Sequence, residues 1–496
     1  MLSKTFLIRG DMMKKVLFAA ILFLTCLTLC SNAYAFLWLD GKLDVRGNVQ
    51  QTMNVLTHED FRDIRISSFR SMVRGEAVYK WIEKPGLNVQ FYTLANYYYD
   101  WALDIDSPMR HSIRSEGVGR HKYRDFRRPR NSEEWLTEAY VDIRFEEFQI
   151  KLGKQIVSWG ETAESRVADV INPLDLKYLI AFPDWEDYKI GLWMIRMYYT
   201  PKQMWQDLSF ELIVIPFDFE EQRMPVAGAG FFNGGPDMGK VYQKMWDKQR
   251  RDAPNDGLKN LEIGLRIKGY TNIGEGIDWA ISHFYTRLDS PLIKGEQGFG
   301  NQLLMLFDMP LQGDMYTYPH YNSTALTFVT TWNLIGCTIQ GECLYNTNRD
   351  YQYGAYEIKE KDLIEAAITF SKSWMLPYLS HWNRDTAYEI SLSIYNLWML
   401  NHEYDKTTGS YIIGETGKDS TRTKFVFSLG TPFFFATLIP GVNIVYDTNG
   451  TTVISALVSY QPGDHWKWQV IYQQMNEQGA ARYQNQVIFN ARYEFW

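Results

Sequence analysis

Cysteine is scarce in this chain: four in 496 residues, with Cys26 and Cys30 inside the first 35 positions. The other two, Cys337 and Cys343, fall on one alternating stretch. At roughly 3.3 Å per residue they stand about 20 Å apart. A disulfide bridges Cα separations only up to about 7 Å, so a disulfide scaffold is excluded and both read as small outward-facing apolar residues. Long apolar runs are missing after the first 35 residues. None approaches the roughly 20 residues of a helical span, which excludes a helical membrane protein. Excess positive charge is missing too. Without the first 35 residues, 47 basic side chains face 57 acidic ones, a net charge of −10 that argues against a nucleic-acid partner.

Catalytic and cofactor signatures are equally thin. The eight histidines form no HExxH pattern. Gly228-Ala229-Gly230 with Gly234-Gly235 lacks the strand-then-helix setting of a dinucleotide site, and Gly153-Lys154 lacks phosphate-loop spacing. His111-Ser112 are sequence neighbours, which does not make a triad. The sequence therefore predicts no enzyme, cofactor or metal.

What is present begins with an export signal at 1–35. Lys14 and Lys15 precede the apolar run Val16 to Leu29, and Ala33-Tyr34-Ala35 supplies a small-x-small cleavage pattern. Aromatic residues are abundant, with 32 Tyr, 28 Phe and 17 Trp in a chain of mean hydropathy −0.31. Two aromatic girdles around a polar lumen accommodate both facts.

The decisive pattern is alternation of period two. Leu43, Val45, Val49, Met53 and Val55 interleave with Asp44, Arg46, Asn48, Gln50 and Asn54. Phe69, Val73, Ala77, Tyr79 and Trp81 interleave with Arg70, Arg74, Glu76 and Lys80. Similar runs cover 87–101, 261–270, 277–285, 326–334, 388–398 and 487–495. Weaker ones fall at 134–145, 148–157, 191–200, 207–216, 338–347, 363–374, 421–430, 440–447, 452–461 and 466–475. Soluble strands usually stop at five or six residues, whereas spanning strands run to about ten. Short joins, such as Glu83–Gly86, Glu146-Glu147, Asn272–Gly276, Ile335-Gly336 and Pro462-Gly463, interleave with long ones. The prediction is an all-β transmembrane antiparallel barrel spanning 36–496, of about 16 to 18 strands, with short periplasmic turns and long outer loops. Trp496 closes the chain after an alternating segment, an ending that the barrel-assembly machinery reads in outer-membrane proteins.

Three groups of residues are candidates for function. Arg70, Arg74, Glu76, Lys80, Arg266 and Lys268 lie on polar faces of strong strands and should line the lumen. The long connection 158–190 carries Glu161, Asp169, Asn172 and Asp175 among Val167, Val170, Ile171, Leu174 and Leu176. It reads either as an in-folded constriction, with carboxylates wet and facing Arg70 and Arg74, or as a structural cap. The segment 106–132 holds Arg110, Arg114, Arg120, Lys122, Arg124, Arg127, Arg128 and Arg130. It is either an outer-rim attractor for anions and lipopolysaccharide phosphates or a solvated loop.

Gly153-Lys154-Gln155, Trp159-Gly160-Glu161 and Asp169-Val170-Ile171-Asn172-Pro173-Leu174-Asp175-Leu176 form a larger pattern. With Leu136-Thr137-Glu138-Ala139-Tyr140 before it and Ile215-Pro216 after it, the sequence resembles the proteobacterial family called domain of unknown function thirteen-oh-two. The resemblance implies an outer-membrane barrel, in contact with outer-membrane lipid and lipopolysaccharide, that moves hydrophobic or other organic compounds alongside an inner-membrane export system. It transfers no catalytic residues. The expected function is a porin-like channel; the rival is a surface binding or structural barrel plugged by its own loops.

Overall fold

The computed structural model describes residues 36–38, 41–57, 64–105, 128–129, 131–162, 166–176, 188–202, 207–223, 248–249, 251–295, 299–301, 304, 312–355, 357–374, 388–412, 416–476 and 485–495. The export segment, most of the basic segment and Trp496 lie outside these residues.

Every alternating segment becomes a strand. The first five are β1 (Leu43–Thr57), β2 (Ile64–Lys84), β3 (Leu87–Asp100), β4 (Leu136–Phe145) and β5 (Phe148–Gln155). Then come β6 (Leu192–Tyr199), β7 (Ser209–Ile215), β8 (Glu262–Thr271) and β9 (Ile277–Arg287). They are followed by β10 (His320–Trp332), β11 (Cys337–Tyr353), β12 (Glu357–Trp374), β13 (Tyr388–Met399) and β14 (Thr421–Gly430). The last are β15 (Leu438–Asp447), β16 (Thr452–Tyr460), β17 (Trp466–Asn476) and β18 (Asn485–Phe495).

Each strand pairs antiparallel with the next, and β18 returns to β1, from Gly47 opposite Phe495 to Thr57 opposite Asn485. Closure gives each of these eighteen strands a partner on both sides, the condition for crossing a bilayer with strands. The even count puts the start of β1 and the end of β18 at one rim. A short strand, Phe36–Trp38, pairs with Leu43 to Val45 where β18 has already ended.

Polarity is inverted relative to a soluble protein. On β8 and β9, Ile263, Leu265, Ile281 and Tyr285 are exposed, while Arg266, Ser282 and Thr286 are buried. The outer wall carries Val73, Phe91, Leu326, Leu392, Phe427, Val458, Val470 and Phe489, all exposed. Exposed aromatics ring both ends of this belt. Trp81, Phe148, Trp332, Trp374 and Trp468 sit towards the short turns, and Tyr97, Tyr285, Tyr345, Trp398 and Tyr446 towards the other rim. Cys337 and Cys343 are unpaired; both lie on the outward side of β11, Cys337 covered and Cys343 exposed.

The strict alternation of short and long joins fails at both rims. At the loop rim, β11–β12 and β15–β16 are joined by only a few residues, and at the turn rim the join between Trp374 and Tyr388 is long. The β11–β12 case has a physical reason. These strands have 17 and 18 residues, against the roughly 9–11 that span a bilayer, so the hairpin itself projects and needs no long loop. They outrun the expected 338–347 and 363–374 because a bulge between Asn346 and Arg349, with Asn348 at φ 57°, resets the alternation. At the turn rim the two-residue joins need a residue with positive φ, which Gly86 supplies at 80°.

Candidate functional site

The connection between β5 and β6 runs against the inner wall. Asn172 ties its two ends together. Its Oδ1 accepts the Val157 N–H at 2.7 Å, and its Nδ2 donates to the carbonyls of Gln155 at 3.1 Å and Ile190 at 2.8 Å. The apolar residues of the connection then pack on inward-facing side chains. Val157, Trp159 and Ile171 join Leu192, Met194, Ile213, Ile215 and Phe284, while Val167 and Ala168 join Ala325, Leu344 and Ala367. One segment thus touches the inner faces of β6, β7 and β9 to β12.

Trp159 is enclosed because the wall opposite it is notched. A Cβ on Gly264 would stand 2.7 Å from both the Trp159 and Phe284 rings, so only glycine admits this contact. The Trp159 ring meets Phe284 edge-on at 6.0 Å, and the Arg266 guanidinium lies 5.9 Å from it. Arg266 also bonds Glu161 at 3.0 Å.

Glu342, inward on β11, closes the arrangement. Its carboxylate accepts the N–H groups of Glu161, Thr162 and Ala168 and the hydroxyl of Thr162. Three convergent backbone donors on one carboxylate form a nest for negative charge, here filled by the barrel wall itself.

Two further loops join the first. Asp175 pairs with Arg223 at 2.9 Å, and the backbones of Leu174 and Leu176 bond that of Arg223 at 2.9 Å. Asp218, beyond the end of β7, accepts the Trp193 N–H at 2.7 Å, and burial pushes its carboxyl up to about 6. The Gln222 N–H donates to the Asp289 carbonyl at 3.0 Å, and Asp252 accepts the Met315 N–H at 2.6 Å.

The predicted residues divide by surroundings. Arg70, Arg74, Glu76 and Lys80 share the inward side of β2, with Glu76 bonded to Arg46 at 2.9 Å and Lys80 to Glu83 at 3.3 Å. Arg70 lines a cavity with Tyr98, Asp175, Lys189 and Arg223. Arg266 is buried and Lys268 exposed, both on the inward side of β8. The expectation of wet carboxylates facing Arg70 and Arg74 needs correction at Asp169, whereas Asp175 is partly exposed and shares the Arg70 cavity. Asp169 is 6% exposed and bonds Lys189 at 2.7 Å and Arg166 at 3.1 Å, and Asn172 is enclosed among backbone groups. The physical reason is that a buried carboxylate needs a partner close by, and the loop carries its own. Of the basic segment only Arg128 is described, and it is partly buried; Arg110, Arg114, Arg120, Lys122, Arg124, Arg127 and Arg130 lie outside the described residues. Sequence reasoning missed Glu342, Lys189, Arg166 and Arg223. For Glu342 a signal existed: it is the charged residue on the inward series Thr338, Gln340, Glu342, Leu344.

Residues 65–495 match the family described as "Protein of unknown function (DUF1302)". The chain belongs to this family. No curated protein matches it. The DUF1302 barrel is similar to a BenF-like porin from Pseudomonas fluorescens Pf-5, with 8% identity and a TM-score of 0.50 over 91% of this chain and 98% of that one. Similar too are OccK1 (OpdK) of Pseudomonas aeruginosa, at 7% identity and a TM-score of 0.48 over 92% and 99% of the two chains, and OccAB4 of Acinetobacter baumannii, at 10% identity and 0.48 over 92% and 98%. At such identities the common ground is the fold, a porin-like closed barrel, and the first of the three carries it.

Proposed function

We propose that this protein is an outer-membrane channel for small organic molecules, narrowed by the loop between β5 and β6. The observation that carries the reading is the inverted barrel: an apolar belt framed by aromatics outside, a polar lumen inside, and a loop against the inner wall. The belt belongs in lipid, and a lumen of charged and hydroxylated groups belongs in water. In this reading Arg70, Arg74, Glu76, Lys80, Glu161, Arg266 and Lys268 line the passage, while Asp169, Asn172 and Asp175 hold its narrowing loop in shape. The basic segment, at the outer rim, meets anionic lipid phosphates.

A second reading, a barrel plugged by its loops without transport, is favoured by one observation: four donors hold Glu342, and three loops interlock above it. Single-channel recordings of the reconstituted protein separate the two. Stepwise conductance that increases when 158–187 is replaced by a short linker supports the channel. A silent bilayer containing demonstrably folded barrel supports the plug.

A further inference from the structure

The inner wall is not uniform around its circumference. Charged residues crowd the inward faces of β2 to β8, where Arg144 pairs with Asp142 and Arg196 with Glu211. Along a row that starts at the turn rim of β11 and crosses obliquely to β16 the character changes. Thr338 stands opposite Ser371, Ser371 opposite Ser391, and Ser391 opposite Ser428. Ser428 in turn faces Asn443, and Asn443 faces Ser455. Six adjacent strands thus present six uncharged hydrogen-bonding side chains in a single cross-strand row. The row continues to Gln473, whose amide donates to the Ser455 hydroxyl at 3.1 Å.

This row floors a cavity of about 800 Å³. The cavity exists because the neighbouring inward positions are empty: Gly430 and Gly441 face each other, and a Cβ on Gly430 would meet nothing within 4 Å. Among the described residues no aromatic side chain lines it. Leu457 adds an aliphatic surface, and Glu389 is the charged inward group, at the rim. Lys372 lies on the opposite face of β12, its ammonium 5.7 Å from the Trp374 ring.

We infer that this row of hydroxyl and amide groups is a binding surface for uncharged organic molecules carrying several hydrogen-bonding groups. The inference rests on the channel reading and narrows its cargo. Strands stand about 4.8 Å apart, so a molecule lying along the row meets a fresh hydroxyl or amide at each strand. Hydroxyls and amides replace the water around alcohol, carbonyl or amide groups, but they offer no countercharge to an ion. A hydrocarbon would leave the same groups unsatisfied, which costs more than its own burial returns.

The test is uptake into liposomes holding the full-length protein, using three impermeant solutes of matched size: glucose, gluconate and glucosamine. Glucose is expected to enter several-fold faster than either ion. Replacing Ser371, Ser391 and Ser428 together with alanine should slow glucose about fivefold, roughly the loss of one net hydrogen bond, while the barrel keeps its heat-modifiable gel mobility. The pair Ser391→Asp and Ser428→Asp should bring glucosamine above glucose. Equal rates for the three solutes, or no change on alanine substitution in protein that still conducts, would overturn the inference and leave the channel reading standing. No uptake and no conductance in folded barrel would overturn both.

Discussion

The Thr162 hydroxyl donates to the Glu342 carboxylate at 2.8 Å, joining the connection after β5 to the inner face of β11. Because the Glu161, Thr162 and Ala168 N–H groups converge on the same carboxylate, the loop's turn is shaped around a side chain of the wall. The strap can therefore be released by a change in the barrel that leaves the loop sequence intact.

Glu342→Ala should do this. It strands three backbone donors, each at a cost of about 1–3 kcal/mol if it stays buried, so the loop should detach rather than remain. In single-channel recordings the variant is expected to show larger and noisier conductance, and protease should cut near Thr162, with the barrel's heat-modifiable mobility unchanged. Wild-type conductance together with wild-type protease resistance would rule the strap out.

The pairing of Asp169 with Lys189 gives a second handle. Lys189 is 7% exposed, so Asp169→Asn leaves a buried ammonium short of its countercharge, a loss of about 3 kcal/mol or more. Hydrogen exchange at the Val157 and Ile190 amides, both bonded within this loop, should speed up roughly a hundredfold. Lys189→Met added to Asp169→Asn should recover part of the protection, because the pair disappears together. Additive effects in this double-mutant cycle would mean that the two charges are independent.

How much of this was readable in the sequence differs by level. Leu265 and Arg266, or Val73 and Arg74, declare their opposite faces by side-chain chemistry alone, and period two then fixes which residues share a wall. Strand ends were less legible. The continuation of β11 past Asn346 looks aperiodic until the bulge at Asn348 is known, and the hydrogen-bonding row at Thr338 to Ser455 exists only through register, which no single strand encodes. The loop's apolar residues pointed towards a wall. Its partners did not show, because Glu342 lies 180 residues from Thr162 in the chain, and Lys189 and Arg166 look like ordinary solvated charges until their burial beside Asp169 is seen.

The two faces of the wall predict opposite responses to one substitution on adjacent residues. Val470 is 45% exposed on the outer belt at the middle of β17, and Gln469 lies on the inward side beside Asn490. Val470→Arg should lower folding stability in lipid vesicles by about 2–4 kcal/mol, whereas Gln469→Arg should fold normally and shift selectivity towards anions. Denaturant titration of both variants in the same vesicles checks this. Equal losses would contradict the assignment of faces on β17.

Asp218 sets a pH dependence whose sign follows from its burial. Its carboxyl is pushed up to about 6, above the ordinary value of 3.8, because desolvation outweighs the hydrogen bond from the Trp193 N–H. A raised carboxyl means that the folded protein holds its proton over a range where the unfolded chain has released it. Folding therefore carries a penalty for the charged form that is fully present above about pH 6 and fades as pH falls towards 3.8. Asp218→Asn keeps an oxygen acceptor for Trp193 and removes the charge. The variant should be more stable than the wild type at pH 7.5, and the advantage should shrink through pH 6 to 5 and be gone near pH 4. Urea midpoints for both proteins in detergent micelles across that range give the difference directly, with every other titrating group cancelling between them. An advantage that is constant with pH would mean that Asp218 ionises normally, and a disadvantage at pH 7.5 would mean that its charge is needed, held by Lys154 nearby.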